Sequence, residues 1–254
     1  MDDYTVKSVD KACILMEVVS DYPNGVSITE LADRVKMYKS TVHRLLTTLA
    51  ARGYIEQDAE SGRYKLGYRL LDLGMKLLSG IDLRQEALPY LRNLAEKAHE
   101  VVHLALMDQG DIVYIEKVES HNTIRMHSRV GKRVPIHATG LGKAILAFLP
   151  KLEVEEILER YGLTESTPYT ITDRGNFLQA LNEIRQNRFA MDIEENEEGI
   201  CCIAAPIFDS TGKVVAACSV SGPTIRMTKK KLNELAPFVR QTGAQISGRL
   251  GYWR

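Results

Sequence analysis

The sequence predicts an α+β fold in two parts: a small helical N-terminal unit closed by a hairpin, and a larger C-terminal unit of antiparallel strands flanked by helices. Three observations predict it. Residues 8–52 place apolar side chains at helical spacing, with a tight connection between two helices. Residues 54–66 read as two short strands around Glu60-Ser61-Gly62. From residue 101 the texture turns β-rich, with strand-like segments interleaved with helical ones. At 254 residues the chain has room for one large domain or two modest ones.

The elements follow in order. Ser8 is a plausible cap for a helix to Asp21 with Ala12, Leu15, Met16 and Val19 in phase, and Pro23-Asn24-Gly25 then signals a turn. Ser27-Ile28-Thr29-Glu30 fits a capping box opening a short helix through Val35. A second helix, 39–52, buries Val42, Leu45, Leu46 and Leu49 and ends at Gly53, the expected C′ glycine. Leu70, Leu73, Leu77 and Leu78 give an apolar helical face, and the composition break across 67–81 is the best domain boundary. A helix starts near Asp82 with a kink or break expected at Pro89. Strands are predicted at 101–107, 112–118, 123–128, 200–208 and 214–221, and helices at 141–149, 153–161 and 174–187. Thr228 caps a long final helix.

Composition excludes several classes. Lys+Arg and Asp+Glu number 33 each, so no whole-molecule field draws the chain to polyanions or membrane surfaces. No apolar run is long enough to span a bilayer, and Met1 to Asp10 lack the apolar segment of a secretory signal. Cys13, Cys201, Cys202 and Cys218 show neither C-x-x-C spacing nor disulfide-framework density. The expectation is a reduced, cytoplasmic chain with no cofactor and no membrane partner.

The pair of helices at 27–35 and 39–52 has the spacing of a helix-turn-helix, whose second helix enters the major groove. Its outer face should carry Lys39, Ser40, Thr41, His43, Arg44 and Thr48, donors and short hydroxyls suited to base edges and phosphates. No acid occurs between Arg34 and Ile55, and Arg63 and Lys65 lie on the neighbouring hairpin, the wing. Double-stranded DNA is therefore the expected partner. The alternative is a winged-helix module whose basic face meets proteins.

Two enzyme signals are weighed and set aside. His99-Glu100-Val101-Val102-His103 fits H-E-x-x-H, but zinc hydrolysis needs the pentapeptide to be helical, and its second half is β-rich. Gly140-Leu141-Gly142-Lys143 lacks a glycine at 137 and a hydroxyl at 144, so it is no Walker loop. The acidic run Glu194 to Glu198 reads as a solvated loop rather than a cation site. No catalytic and no metal-ligating residues are expected.

Three segments together resemble the IclR family of bacterial transcriptional regulators: Ser40-Thr41-Val42-His43-Arg44-Leu45-Leu46 through Gly53-Tyr54-Ile55; Pro135 to Ala144; and Glu194 to Pro206. The resemblance implies a winged helix-turn-helix DNA-binding domain over 1–67, a linker helix over 68–81 and a GAF-like effector-binding domain over 82–254. It also implies a homodimer or homotetramer on a palindromic operator, controlled by a small carboxylate metabolite. The family's effector pocket maps onto Thr123, Met126, Gly140, Leu141, Asp192, Cys202, Ser219 and Ser221. Leu83-Arg84, Ile115 to Val118 and Ile124 to Arg133 look most like the regulators of sugar-acid (2-keto-3-deoxygluconate, pectin) catabolism.

The chemistry of those positions is reasonable for a small carboxylate, with an ordinary solvent-facing pair the other reading of the two serines and a buried core residue that of Cys202. The glycine-flanked turn before Ala144–Leu149 offers N–H groups at a helix start. Ser219 and Ser221 share one face of a strand, Asp192 suits a sugar hydroxyl, and Cys202 is small enough to line a pocket without filling it. Arg125, Arg129 and Arg133 are further cations, as suited to the surface as to the site.

Overall fold

A computed structural model describes residues 6–73, 82–120 and 128–253. The chain separates into two compact units, Met1–Ile81 and Asp82–Arg254, each with its own core.

In the first unit, α1 (Lys7–Ser20), α2 (Ile28–Val35) and α3 (Lys39–Ala51) bury Leu15, Val19, Leu31, Val42 and Leu46. Each such side chain stabilises the unit by about 1.5–3 kcal/mol relative to exposure. Helix α1 starts before Ser8: Val6 stands at its cap, without a side-chain bond. The capping box forms as read, with Glu30 N–H donating to Ser27 Oγ at 3.2 Å and Ser27 N–H to Glu30 Oε2 at 2.9 Å. Gly53 follows α3 at φ 74°, a backbone that suits glycine. Strands β1 (Ile55–Gln57) and β2 (Tyr64–Leu66) form the hairpin, and Tyr64 bridges back to Val26 just before α2. Arg63 Nη1 donates to the Gly25 carbonyl at 3.0 Å and so ties the hairpin to the turn. Residues 69–73 are helical. The rest of the expected linker helix, and nearly all of the expected strand 123–128, lie outside the described residues.

The second unit opens with α4 (Leu83–Ala98), capped by Asp82. The helix continues through Pro89 instead of breaking there. Pro89 removes one backbone donor, but Ala87, Leu91 and Leu94 are buried on either side and hold the helix to the core. The sheet has the order β5-β4-β3-β8-β7-β6, antiparallel throughout. Its strands are β3 (Val101–Asp108), β4 (Asp111–Val118), β5 (Arg133–Pro135), β6 (Ala190–Ile193), β7 (Ile200–Phe208) and β8 (Val214–Pro223). The short edge strands β5 and β6 were not foreseen. Helices α5 (Gly140–Leu146), α6 (Lys151–Tyr161), α7 (Arg174–Asn187) and α8 (Lys229–Arg249) complete the unit. Helix α6 begins two residues earlier than expected, and α5 stops three residues sooner. Thr228 caps α8 as predicted, accepting from Lys231 N–H.

Strand β7 is buried on both faces. A Cβ on Gly140 of α5 would meet Cys202 and Ala204, whereas one on Gly243 of α8 would meet Pro206 and Ala205. Alternation along a strand therefore puts α5 and α8 on opposite faces of the sheet. The α5 face carries the cavity described below.

Candidate functional site

Helix α3 turns Val42, Leu46 and Leu49 inward and leaves Lys39, Ser40, His43, Arg44 and Thr48 exposed, with Thr41 half-buried. Thr48 Oγ1 donates to the Arg44 carbonyl and Thr47 Oγ1 to the His43 carbonyl, which turns both hydroxyls back along the helix. The N–H groups of Thr41 and Val42 bond to the Tyr38 carbonyl, and no acid stands in the first turn. The dipole end of α3 and its basic residues are thus presented to an anion together. Tyr38, at the cap, is 86% exposed and escaped the sequence reading. Lys65 is exposed and lies 3.8 Å from Glu56, whereas Arg63 is partly engaged with Gly25.

In the second unit a cavity of about 170 Å³ opens on the α5 face of the sheet, lined by Tyr114, Ser128, Lys132, Thr139, Leu141, Asp192, Asn196, Glu197, Ile200, Cys202 and Ser221. Register builds its floor. Asp192 pairs with Cys202 across β6 and β7, and Cys202 with Ser221 across β7 and β8, so three polar side chains form one rung. The next rung on that face runs Ala190–Ala204–Ser219–His103.

Burial pushes the Asp192 carboxyl up to about 7, against the pull of Lys143. Its oxygens accept from Glu195 N–H at 2.8 Å and from the Cys202 thiol at 3.6 Å. Burial and the neighbouring Asp192 hold the Cys202 thiol well above its ordinary range, so it is protonated and unreactive. The loop 194–199 is anchored: Thr167 and Thr170 hydroxyls donate to the carbonyls of Glu194 and Glu195, and Lys143 forms a buried ion pair with Glu195. Lys132 is the one cation among the described lining residues.

Two family models match the chain: an IclR helix-turn-helix domain over residues 8–59, and the C-terminal portion of the bacterial transcriptional regulator IclR over 75–248. This chain belongs to the IclR family. It is 38% identical to the HTH-type transcriptional regulator KdgR of Escherichia coli (strain K12) over 98% of this chain and 94% of that one. It is 36% identical to XynR of the same organism, over 97% and 98%. Its structure matches that of Pseudomonas aeruginosa HmgR with a TM-score of 0.82 at 26% identity, over 97% and 99%. As an IclR-family transcriptional regulator it binds DNA through its helix-turn-helix and carries an effector-binding C-terminal unit. The family is one of regulators, not enzymes.

The decoy pentapeptide comes apart accordingly. His99 is the left-handed cap of α4 at φ 56°, Glu100 is paired with Arg226, and His103 lies within β3. No grouping that could hold a metal occurs among the described residues.

Of the expected effector residues, Leu141, Asp192, Cys202 and Ser221 line the cavity. Thr123 and Met126 fall outside the described residues. Ser219 and Gly140 are not among the lining residues. Ser219 is 0% exposed, in the rung beside Ala204, with its hydroxyl 3.5 Å from Ser221 Oγ. Gly140 packs beneath Cys202, where a Cβ would come within 2.9 Å of Sγ. The acidic run is solvated only in part: Glu197 and Glu198 are exposed, but Glu195 is buried against Lys143, and Asn196 and Glu197 border the cavity. The helix-start argument also weakens, because α5 is only seven residues long and Gly142 N–H is taken by Thr139 Oγ1 at 3.1 Å. Arg133 is committed to Asp108 and Asp111 at the surface.

Tyr114, Ser128, Lys132, Thr139, Asn196, Glu197 and Ile200 were missed. Thr139 was recoverable as a cap residue before the Gly140 turn. The others depend on strand register or loop closure, for which local sequence carries no signal.

Proposed function

We propose that this chain represses a catabolic operon and is controlled by a small carboxylate effector, 2-keto-3-deoxygluconate or a related sugar acid. Residues 1–67 form the DNA-binding domain, 68–81 a linker helix for pairing subunits, and 82–254 the effector domain, in a cytoplasmic homodimer or homotetramer on a palindromic operator. Lys39, Ser40, Thr41, His43, Arg44 and Thr48 meet the major groove, with Arg63 and Lys65 at the wing.

The observation that carries the effector reading is the make-up of the cavity wall. Among the described lining residues one cation, Lys132, and one acid of the acidic loop, Glu197, share it with the hydroxyls of Tyr114, Ser128, Thr139 and Ser221, and with Asp192, whose carboxyl burial raises to about 7. A hydroxyl-rich carboxylate suits that polar wall, with Lys132 to meet its acid end, better than an apolar or aromatic acid does. Leu141, Cys202 and Ile200 leave room for its carbon chain. The sequence segments that resemble sugar-acid regulators point the same way.

Coupling between effector and DNA is reciprocal: an effector that weakens DNA binding is itself bound more weakly by the DNA complex, by the same factor. Titration calorimetry of the purified protein with 2-keto-3-deoxygluconate, galacturonate, pyruvate and an aromatic acid tests the reading. Tight binding of a keto-deoxy sugar acid, with release from upstream DNA in gel shifts at fixed salt, is expected. No heat for sugar acids alongside tight binding of another carboxylate would overturn it.

A further inference from the structure

Beneath the cavity wall lies a histidine that the reading above leaves without a task. His103 is 1% exposed and packs against Tyr114, with ring centroids 4.6 Å apart and the planes tilted by 31°. Its Nε2 lies 2.7 Å from Ser128 Oγ, while Nδ1 is buried with no partner among the described residues. Ser128 is held from a second side: Lys117 Nζ donates to its carbonyl at 2.8 Å. Lys117 is the cross-strand neighbour of His103. Two adjacent strands thus hold a single serine, and both Ser128 and the Tyr114 against which His103 packs line the cavity.

The unpartnered nitrogen decides the proton's place. Burial, with Lys117 and Lys132 nearby, pushes the His103 imidazole down to about 3, so the ring is neutral and carries one N–H. A buried N–H without an acceptor costs more than a bare lone pair, so the hydrogen belongs on Nε2 and Nδ1 stays bare. Nε2–H then donates to Ser128 Oγ. That bond uses a lone pair of the hydroxyl and leaves its own hydrogen to be given elsewhere. Ser128 and Lys132 line the same cavity, so a ligand there can take that hydrogen.

We propose that Ser128 is an effector-contacting hydroxyl for the ligand's carboxylate, and that His103 is a positioning residue that fixes it as a donor. The inference rests on the effector reading of the cavity. A hydroxyl polarised as a donor next to a lysine fits an anionic oxygen and gives little to an alcohol that has its own proton to place. The subsite therefore selects the acid end of the effector, while Asp192 and Ser221 remain for its hydroxyls.

The full-length protein is titrated with 2-keto-3-deoxygluconate as wild type, Ser128→Ala, His103→Phe, His103→Gln, and the Ser128→Ala/His103→Phe double variant. Leu141→Trp, which fills the cavity, serves as the control. Loss of one charge-assisted bond weakens binding about tenfold to a hundredfold in Ser128→Ala. His103→Phe shows a similar loss, the double variant adds little to either, and Gln, whose amide N–H reaches the place of Nε2, recovers most of the affinity. Nitrogen-15 NMR of the imidazole reads the tautomer directly, without any ligand: Nε2–H supports the proposal and Nδ1–H overturns it. If Leu141→Trp abolishes binding while Ser128→Ala and His103→Phe bind as wild type, the proposal fails and the effector reading stands. If Leu141→Trp leaves binding intact, or the wild type gives no heat, the effector reading itself fails.

Discussion

Lys143, in the first turn of α5, reaches across to Glu195 in the loop beside the cavity, and the two form an ion pair with side chains only 3% and 10% exposed. The pair joins the two sequence segments on which the family resemblance chiefly rests in the effector unit. It also explains why a lysine that looked like a failed phosphate loop is there. The second Glu195 oxygen, Oε2, has no partner among the described residues, so the loop is held through one carboxylate oxygen, the Glu195 N–H on Asp192 and the threonine hydroxyls behind it.

Lys143→Met should destabilise the effector unit by about 3–5 kcal/mol, because it leaves a buried carboxylate without its counter-charge. Adding Glu195→Leu should restore most of that loss. Thermal unfolding of the two variants, followed in the full chain by a probe in the second unit, checks this. Equal stability of Lys143→Met and wild type would mean that Glu195 reaches water.

Asp192 makes both stability and binding depend on pH. Its carboxyl rises from the ordinary value to about 7 in the fold. The native state therefore holds a proton that the unfolded chain has released, and this contribution to stability falls as pH rises from about 4 to about 7. For a carboxylate effector the same proton removes a repulsive charge, so affinity should fall as pH rises through about 7. Asp192→Asn should flatten both profiles. Calorimetry in buffers of different ionisation heat should detect proton uptake on binding by wild type and none by the variant.

Arg44 is exposed on the recognition helix and should lose about 1–3 kcal/mol of specific binding on substitution by Ala if it reads a base edge. Gel shifts with operator and scrambled duplexes at one salt concentration separate the cases. Equal loss on both would make it a phosphate contact.

Gly142 and Gly140 should respond differently to alanine. A Cβ at 142 would penetrate the Ile136 carbonyl, and backbone cannot move aside without displacing the start of α5. At 140 the obstacle is the Cys202 sulfur. Gly142→Ala should cost about 3 kcal/mol or more, and Gly140→Ala about 1–2 with altered ligand affinity, as overpacking strain predicts. Melting curves rank the two, and a reversed order would mean that α5 is not seated as described.

Local chemistry was written in the sequence. The capping box at Ser27, the stripe Val42–Leu46–Leu49, the helix start near Asp82, the cap at Thr228, and the long strands β7 and β8 need only neighbours within a few residues, and each was legible. The exposed face of α3 followed from the same periodicity, since a residue that is not on the buried stripe of a helix faces out. What failed was non-local. β5 and β6 are too short to announce themselves and exist because β4 and β7 offer them an edge. Pro89 leaves a kink and a break equally open until the burial of Ala87 and Leu91 shows that the helix runs on. Ser219 and Ser221 look equivalent in sequence, yet only the rung to which each belongs leaves one at the cavity and seals the other. The pairing of His103 with Ser128, and of Lys143 with Glu195, spans 25 and 52 residues. Such contacts arise when a sheet sets its register, a property of the folded chain that no local stretch encodes.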